Sequence, residues 1–313
     1  MIVVYVDDCV IAGEKEFIVN MKSKLKAEFG VVEDGQLRKL LGVRYKWKNL
    51  NDPANATVTL NMEDKVEEVI KGYEKATGLT PRIQSTPGKP GEILERHEGN
   101  PVKQPEYRSV LGKLMFYVTK LSPECSFACG QLARQMHNPG EEHWKAMGRI
   151  IGYLKGKKQH ELIIRRPQEL RVISFGDASY GDCKETRRSS TGDIHTIGGS
   201  IVSWRAQKTR FVCLSSAEAE YVALNEMCKK QKILTMLMEE VFECESPGQL
   251  YEDNEAAIYL AKNQHISGRT KHIDIRQHYV REHLKNNIGE IRAIKPEENF
   301  ADILTKNVTV KLF

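Results

Sequence analysis

The stretch "LRVISFGD" (Leu170–Asp177) places Val172, Ile173 and Phe175 in one apolar run and ends it on a carboxylate. A short run rich in β-branched and aromatic residues, just after Pro167, reads as a strand. A strand that ends on an acid delivers that acid to the rim of a sheet. Beyond Asp177 the pattern reads as strand, strand, helix, strand, helix. "TGDIHTIGGSIVSW" (191–204) and "TRFVCL" (209–214) read as antiparallel partners. "SSAEAEYVALNEMCKKQKILTMLMEEV" (215–241) reads as a long helix with a serine N-cap and Glu218 in its first turn. "QLYEDN" (249–254) reads as a strand before a helix through Ala256–Ala261, and "GEIRAIKPEENFADILTK" (289–306) as a strand and a short helix. That order predicts a mixed αβ domain over 168–313 with a mainly antiparallel sheet.

Four acids sit at comparable places in these elements. Asp177 and Asp253 end strands, Glu220 lies one turn into the long helix, and Asp302 lies in the last helix. Strand ends and first helical turns share the rim of a sheet, so the four could converge. Clustered carboxylates repel one another unless cations neutralise them. Oxygen-only ligands select hard ions, Mg²⁺ or Mn²⁺ rather than zinc. Two such ions would clamp the attacking and leaving oxygens of an in-line displacement at phosphorus, so the expected substrate is a phosphodiester. The alternative is four ordinary surface acids among 42.

Upstream, "MIVVYVDDCVIAG" (1–13) sets Asp7 and Asp8 between two apolar runs. Side chains alternate across a strand, so adjacent carboxylates fit best at a hairpin tip, where a divalent cation could bridge them to a phosphate. An ordinary solvated turn is the alternative. A start in mid-strand suggests a domain without its first part, and so a fragment of something longer. Phe17, Ile18, Met21, Leu25 and Phe29, with Gly30 as C-cap, predict a helix over 14–29. Val66, Val69, Ile70 and Tyr73 predict another near 63–76. Residues 80–105 hold five of the eleven prolines and read as an exposed linker or a long loop. Residues 107–155 read as three helices broken at Pro123 and at "NPG" (138–140).

The 313 residues allow two or three domains, and 40% hydrophobic with 28% charged residues describes a soluble globular protein. No apolar run approaches membrane-spanning length and no cleavable signal precedes Asp7, so the expectation is a cytosolic chain with no membrane partner. Seven scattered cysteines form neither zinc-type pairs nor a disulfide framework and read as reduced. A net charge of +5 permits a polyanionic partner without requiring one. Basic residues gather locally, in "YLKGKKQH" (153–160), "RAQKTR" (205–210) and "GRTKHIDIR" (268–276).

"YVDD" (5–8), "LLGVRY" (40–45), "YRSVLGKLMF" (107–116), "HWKAMGRIIGYLKG" (143–156), "RRSSTGDIHTIGGSIVSW" (187–204), "LSSAEAEYVAL" (214–224), "YEDNEAAIYLAKN" (251–263), "GRTKHIDIRQHYVRE" (268–282) and "FADILTK" (300–306) succeed one another along the chain. In that order they resemble the C-terminal part of copia-type LTR retrotransposon Pol polyproteins, reverse transcriptase followed by RNase H. The resemblance runs over almost the entire chain.

The resemblance implies an α+β chain of three parts. Residues 1–52 would be the C-terminal part of a reverse-transcriptase palm, 53–167 a mostly helical thumb and connection, and 168–313 a ribonuclease-H-like αβ domain. Asp7 and Asp8 would match two of three metal-binding palm aspartates, the third lying upstream with the fingers. Asp177, Glu220, Asp253 and Asp302 would hold two Mg²⁺ or Mn²⁺ ions. Glu220 is chosen over Glu218 because "EYVAL" resembles the family's catalytic glutamate segment, and two residues apart on a helix only one can face the metals. After Asp177 the chain reads "DASYGD", where relatives commonly carry a second acid and a Trp, so the surroundings of the first ligand differ.

The activity implied is RNA-strand hydrolysis in RNA:DNA hybrids, leaving a 3′-OH and a 5′-phosphate. RNA-directed DNA polymerase activity would belong to the parent polyprotein rather than to this fragment. Partners would be the hybrid, template-primer nucleic acid and the remainder of Pol, in a cytoplasmic virus-like particle or the nucleus. Lys155, Lys157 and Lys158 would guide the duplex, and Arg269, Lys271, His272 and Arg276 would contact its backbone. His272 beside Lys271 suits a phosphate contact or a helix cap better than general-base duty. A solvated basic face is the alternative for this segment. A non-catalytic relic or nucleic-acid-binding module is the rival for the chain.

Overall fold

The computed structural model describes residues 1–32, 35–157, 161–243, 248–263 and 279–309. The first unit is the hairpin β1 (Ile2–Tyr5) and β2 (Asp8–Ile11), followed by α1 (Lys15–Phe29). Tyr5 pairs with Asp8 across a two-residue turn at Val6 and Asp7, so the acids sit at the hairpin tip. No residue of α1 is buried, although Gly30 closes it in the left-handed region as expected.

A second sheet joins β3 (Lys39–Leu40), β4 (Val43–Lys48), β5 (Thr57–Asn61) and β6 (Glu161–Arg165) in that order. The expected division at 52/53 falls inside the β4–β5 hairpin. Four helices, α2 (Glu63–Thr77), α3 (Gln104–Leu121), α4 (Ser126–Arg134) and α5 (Glu141–Gly156), pack against one another and share a core with Val43, Leu60 and Leu162 of this sheet. In α2, Val66, Val69 and Tyr73 recur at helical spacing and are buried. With Leu111, Leu114, Met147 and Ile151 they form the larger core. Tyr107 meets Trp144 edge-on at 5.2 Å, and burying rings of that size contributes about 1.5–3 kcal/mol each.

Residues 80–103 form no helix or strand and are mostly exposed, as a long loop is, but one part of the segment packs into the protein. Thr86, Pro87 and Gly88 are buried. Arg149 of α5 donates to Gln84 Oε1 at 2.9 Å and to Thr86 Oγ1 at 2.8 Å. Gly152 admits the segment, because a Cβ there would stand 1.9 Å from the Arg82 carbonyl oxygen.

The C-terminal sheet contains β7 (Val172–Ser179), β8 (Ser190–Ile197), β9 (Ser200–Lys208), β10 (Gly248–Glu252) and β11 (Gly289–Ala293), in the spatial order β11–β10–β7–β8–β9. The pairs β7–β8 and β8–β9 are antiparallel, whereas β10 runs parallel to both β7 and β11. The sheet is therefore evenly mixed rather than mainly antiparallel. The first strand is thus central, with an antiparallel hairpin on one side and two parallel strands on the other. The hairpin turn falls at Gly198–Gly199, both at positive φ, which closes β8 onto β9 within a single sequence stretch. "TRFVCL" consequently lies outside the sheet, with Cys213 packed under α6 (Ser216–Phe242).

Helix α6 covers the sheet, burying Tyr221, Leu224, Met227 and Cys228 against Leu250 and Ile291. After β10 comes α7 (Glu255–Lys262), and the described chain closes with a 3-10 turn at Phe300–Leu304. That turn packs on β7 and β8 and also touches α4. Asn307 Nδ2 donates to the Glu92 carbonyl at 2.9 Å, tying the stretch after the 3-10 turn to the 80–103 segment. Among the described residues no helix is long and apolar enough to cross a membrane.

Candidate metal centre

Strand pairing brings two of the acids together. Tyr251 pairs with Phe175 in the parallel β10–β7 register, so Asp253 and Asp177, each two residues further on, emerge at adjacent strand ends. The 3-10 turn supplies Asp302 from the C-terminal side. One oxygen from each of Asp177, Asp253 and Asp302 lies within 4.8 Å of the others. Their neighbours fix them. The Thr305 hydroxyl donates to Asp177 Oδ2. Asn299 donates through Nδ2 to the Gly176 carbonyl at 2.8 Å and hydrogen-bonds the Asp253 carboxylate.

Glu220 joins from α6. The helix begins because Ser215 Oγ accepts from the Glu218 backbone N–H at 3.1 Å. The Glu218 carboxylate turns back to accept from the Leu214 N–H at 2.6 Å, which leaves Glu220 to face the sheet. The Ala178 backbone donates to Glu220. A second group of acids, Glu220, Glu252 and Asp253, likewise offers one oxygen each within 4.8 Å.

The electrostatics arise from burial and mutual repulsion. Burial, then the charges of Glu252, Asp177 and Asp253, pushes the Glu220 carboxyl up to about 10. Glu252 is raised well above the usual carboxylate range, chiefly by burial. Asp253 is raised by burial and Asp177, and Asp302 is pushed up to about 6, again chiefly by burial. Lys306 is the one cation at the cluster among the described residues, with Nζ 2.9 Å from Asp302 Oδ1. Glu220 Oε2 and Glu252 Oε2 are buried without a hydrogen-bond partner. Unpaired buried carboxylate oxygens are costly, and a divalent cation satisfies them. Oxygen-only donors fit a hard ion.

The other expected residues lie apart from this cluster. Asp7 and Asp8 stand exposed at the β1–β2 tip, and among the described residues no third metal-ligating side chain joins them. Lys155 is exposed at the end of α5. Lys157 Nζ is bound 2.6 Å from Glu124 Oε1, in a partly buried pair. Lys158, Arg269, Lys271, His272 and Arg276 lie outside the described residues. Sequence reasoning missed Glu252, Thr305 and Lys306, although "YED" and "LTK" set all three beside predicted ligands.

One other constellation has a catalytic outline. Ser174 Oγ lies 2.8 Å from His195 Nδ1, and His195 Nε2 lies 3.0 Å from Asp193 Oδ1. All three are at most 3% exposed, so no substrate reaches the serine and the chain of hydrogen bonds is structural.

No family model matches the chain. It is 30% identical over 315 residues to the Retrovirus-related Pol polyprotein from transposon TNT 1-94 of Nicotiana tabacum, which covers 98% of this chain and 23% of that protein. The chain is homologous to part of a copia-type Pol polyprotein. A second such relative, the Pol polyprotein from transposon RE1 of Arabidopsis thaliana, is 29% identical over 313 residues, or 99% of this chain and 21% of that protein. The chain thus spans between a fifth and a quarter of the length of these Pol relatives. Among solved structures, LC11-RNase H1 in complex with an RNA/DNA hybrid matches 45% of this chain and 97% of that one, with a TM-score of 0.35 and 14% identity.

Proposed function

We propose that this chain is a Mg²⁺-dependent nuclease that hydrolyses the RNA strand of RNA:DNA hybrids, as one part of a longer retrotransposon Pol polyprotein. The observation that carries the reading is the meeting of Asp177, Asp253 and Asp302 within 4.8 Å, from three elements far apart along the chain. Asp177, Glu220, Asp253 and Asp302 would hold a pair of Mg²⁺ ions, whose chemistry would be to neutralise charge developing on the phosphodiester oxygens and to lower the pKa of the attacking water. The chain's own residues hold the geometry. Thr305 and Asn299 orient Asp177 and Asp253, and Lys306 offsets part of the negative charge. Discrimination of RNA from DNA at the cut falls to contacts with the 2′-OH groups. Exposed Lys155 and the basic stretch 268–276 would meet the duplex backbone, which makes binding salt-dependent. Polymerase activity would need palm and finger elements beyond Asp7 and Asp8, supplied by the rest of the polyprotein in a cytoplasmic particle or the nucleus.

The test is cleavage of a labelled hybrid by the purified chain. Mg²⁺-dependent cutting that EDTA stops, and that Asp253→Asn abolishes with an unchanged circular dichroism spectrum, is the expected result. Full cleavage by Asp253→Asn rejects the site. Hybrid binding that never leads to cutting, with Mg²⁺ supplied, would leave a non-catalytic nucleic-acid-binding module.

A further inference from the structure

Glu252 is a carboxylate that the four-acid reading does not use, and it is fully buried. It lies on the inward face of β10: Gly248, Leu250 and Glu252 alternate onto one side, and Leu250 is 0% exposed beneath α6. One oxygen is satisfied, since Glu252 Oε1 accepts from the Asn254 N–H at 3.1 Å. The other, Oε2, is buried with no hydrogen-bond partner, and so is Oε2 of Glu220 across the α6–β10 interface. Among the described residues no lysine or arginine forms an ion pair with either glutamate, while Lys306 reaches only Asp302.

We propose that Glu252 is a fifth metal ligand, closing with Glu220 and Asp253 an inner subsite for a hard divalent cation. The inference rests on the carboxylate cluster holding divalent ions at all, and assigns one of them to a place set by Glu252. Asp253 belongs to both triplets, so it bridges the inner subsite to the outer one formed with Asp177 and Asp302. A cation there compensates two buried oxygens at once, which neither water-exposed solvation nor a neighbouring basic side chain does. Three oxygen donors at one point, on a strand end and a packed helix, give the partial shell that Mg²⁺ or Mn²⁺ completes with water. The position also explains why an apolar interface between α6 and β10 tolerates two acids.

The experiment is Mn²⁺ titration of the full chain, read by electron paramagnetic resonance of free Mn²⁺ and by the shift in melting temperature. Wild type should take up two ions. Glu252→Gln should take up one tightly and bind the second at least tenfold more weakly, with its melting temperature in EDTA equal to or above wild type. Glu252→Asp, which keeps the charge but withdraws it by one methylene, should fall between them; it carries the test if the glutamine variant does not fold. Two ions bound by Glu252→Gln with wild-type affinities overturn this inference and make Glu252 a neutral packing acid, while leaving the nuclease reading intact. No Mn²⁺ uptake by wild type overturns both.

Discussion

The Thr305 hydroxyl donates a hydrogen bond to Asp177 Oδ2, joining a side chain just past the C-terminal 3-10 turn to the end of the central strand. Thr305 is itself fully buried, which holds its hydroxyl against that oxygen. Partners of this kind orient a ligating carboxylate and typically carry about 10–100-fold in metal affinity or activity. Thr305→Val keeps the shape and removes the donor. It should weaken Mn²⁺ binding by at least about tenfold, with Thr305→Ser restoring most of the loss. Mn²⁺ affinity equal to wild type in the valine variant would show that Asp177 needs no such support.

Gly192 faces Asp177 across the β7–β8 ladder and lies under the turn that carries Asp302. A Cβ at this position would stand 2.5 Å from Leu304 Cβ and 3.2 Å from the Ala301 carbonyl oxygen. Neither atom is the free end of a flexible side chain, so the turn itself must move. Gly192→Ala should cost about 1–3 kcal/mol in urea unfolding, the usual penalty for overpacking, and should lower hybrid cleavage more than tenfold. Unchanged stability and cleavage would mean that the turn is free to shift without moving Asp302.

Acid should unfold the protein partly through His283. Its Nε2 meets Gln231 Oε1 at 2.8 Å, and burial with the nearby Lys232 charge pushes the imidazole down from 6.5 to about 4. The unfolded chain takes up this proton near pH 6.5 and the folded chain only near pH 4. Between those values the unfolded state binds more protons, so stability falls as pH falls, by up to about 3 kcal/mol at the low end. His283→Gln can still donate to Gln231 but cannot titrate. Its melting temperature should drop less than wild type between pH 7 and pH 4.5. Parallel curves for the two proteins would remove His283 from the acid response.

Much of the site can be read from residue order because its signals are local. Ser215 announces the start of α6, the β-branched run announces β7, and each fixes where its acid emerges. Non-local pairing is harder. The parallel β10–β7 register, which sets Asp253 beside Asp177, leaves no mark in either strand alone. Glu252 escapes notice in the sequence because an acid next to a ligand reads as solvated, yet its spacing from Leu250 puts it on the buried face. The proline-rich 80–103 segment reads as exposed by composition, whereas its packing depends on Gly152, a position on α5 distant in sequence. "TRFVCL" has strand composition, but the Gly198–Gly199 turn has already completed the hairpin.

Anomalous scattering from a crystal of this chain soaked in Mn²⁺ would locate the ions without reference to activity. Manganese peaks in contact with the carboxylate oxygens of Asp177, Asp253 and Asp302 are the predicted result. A well-ordered crystal with those three aspartates together and no manganese among them would contradict it.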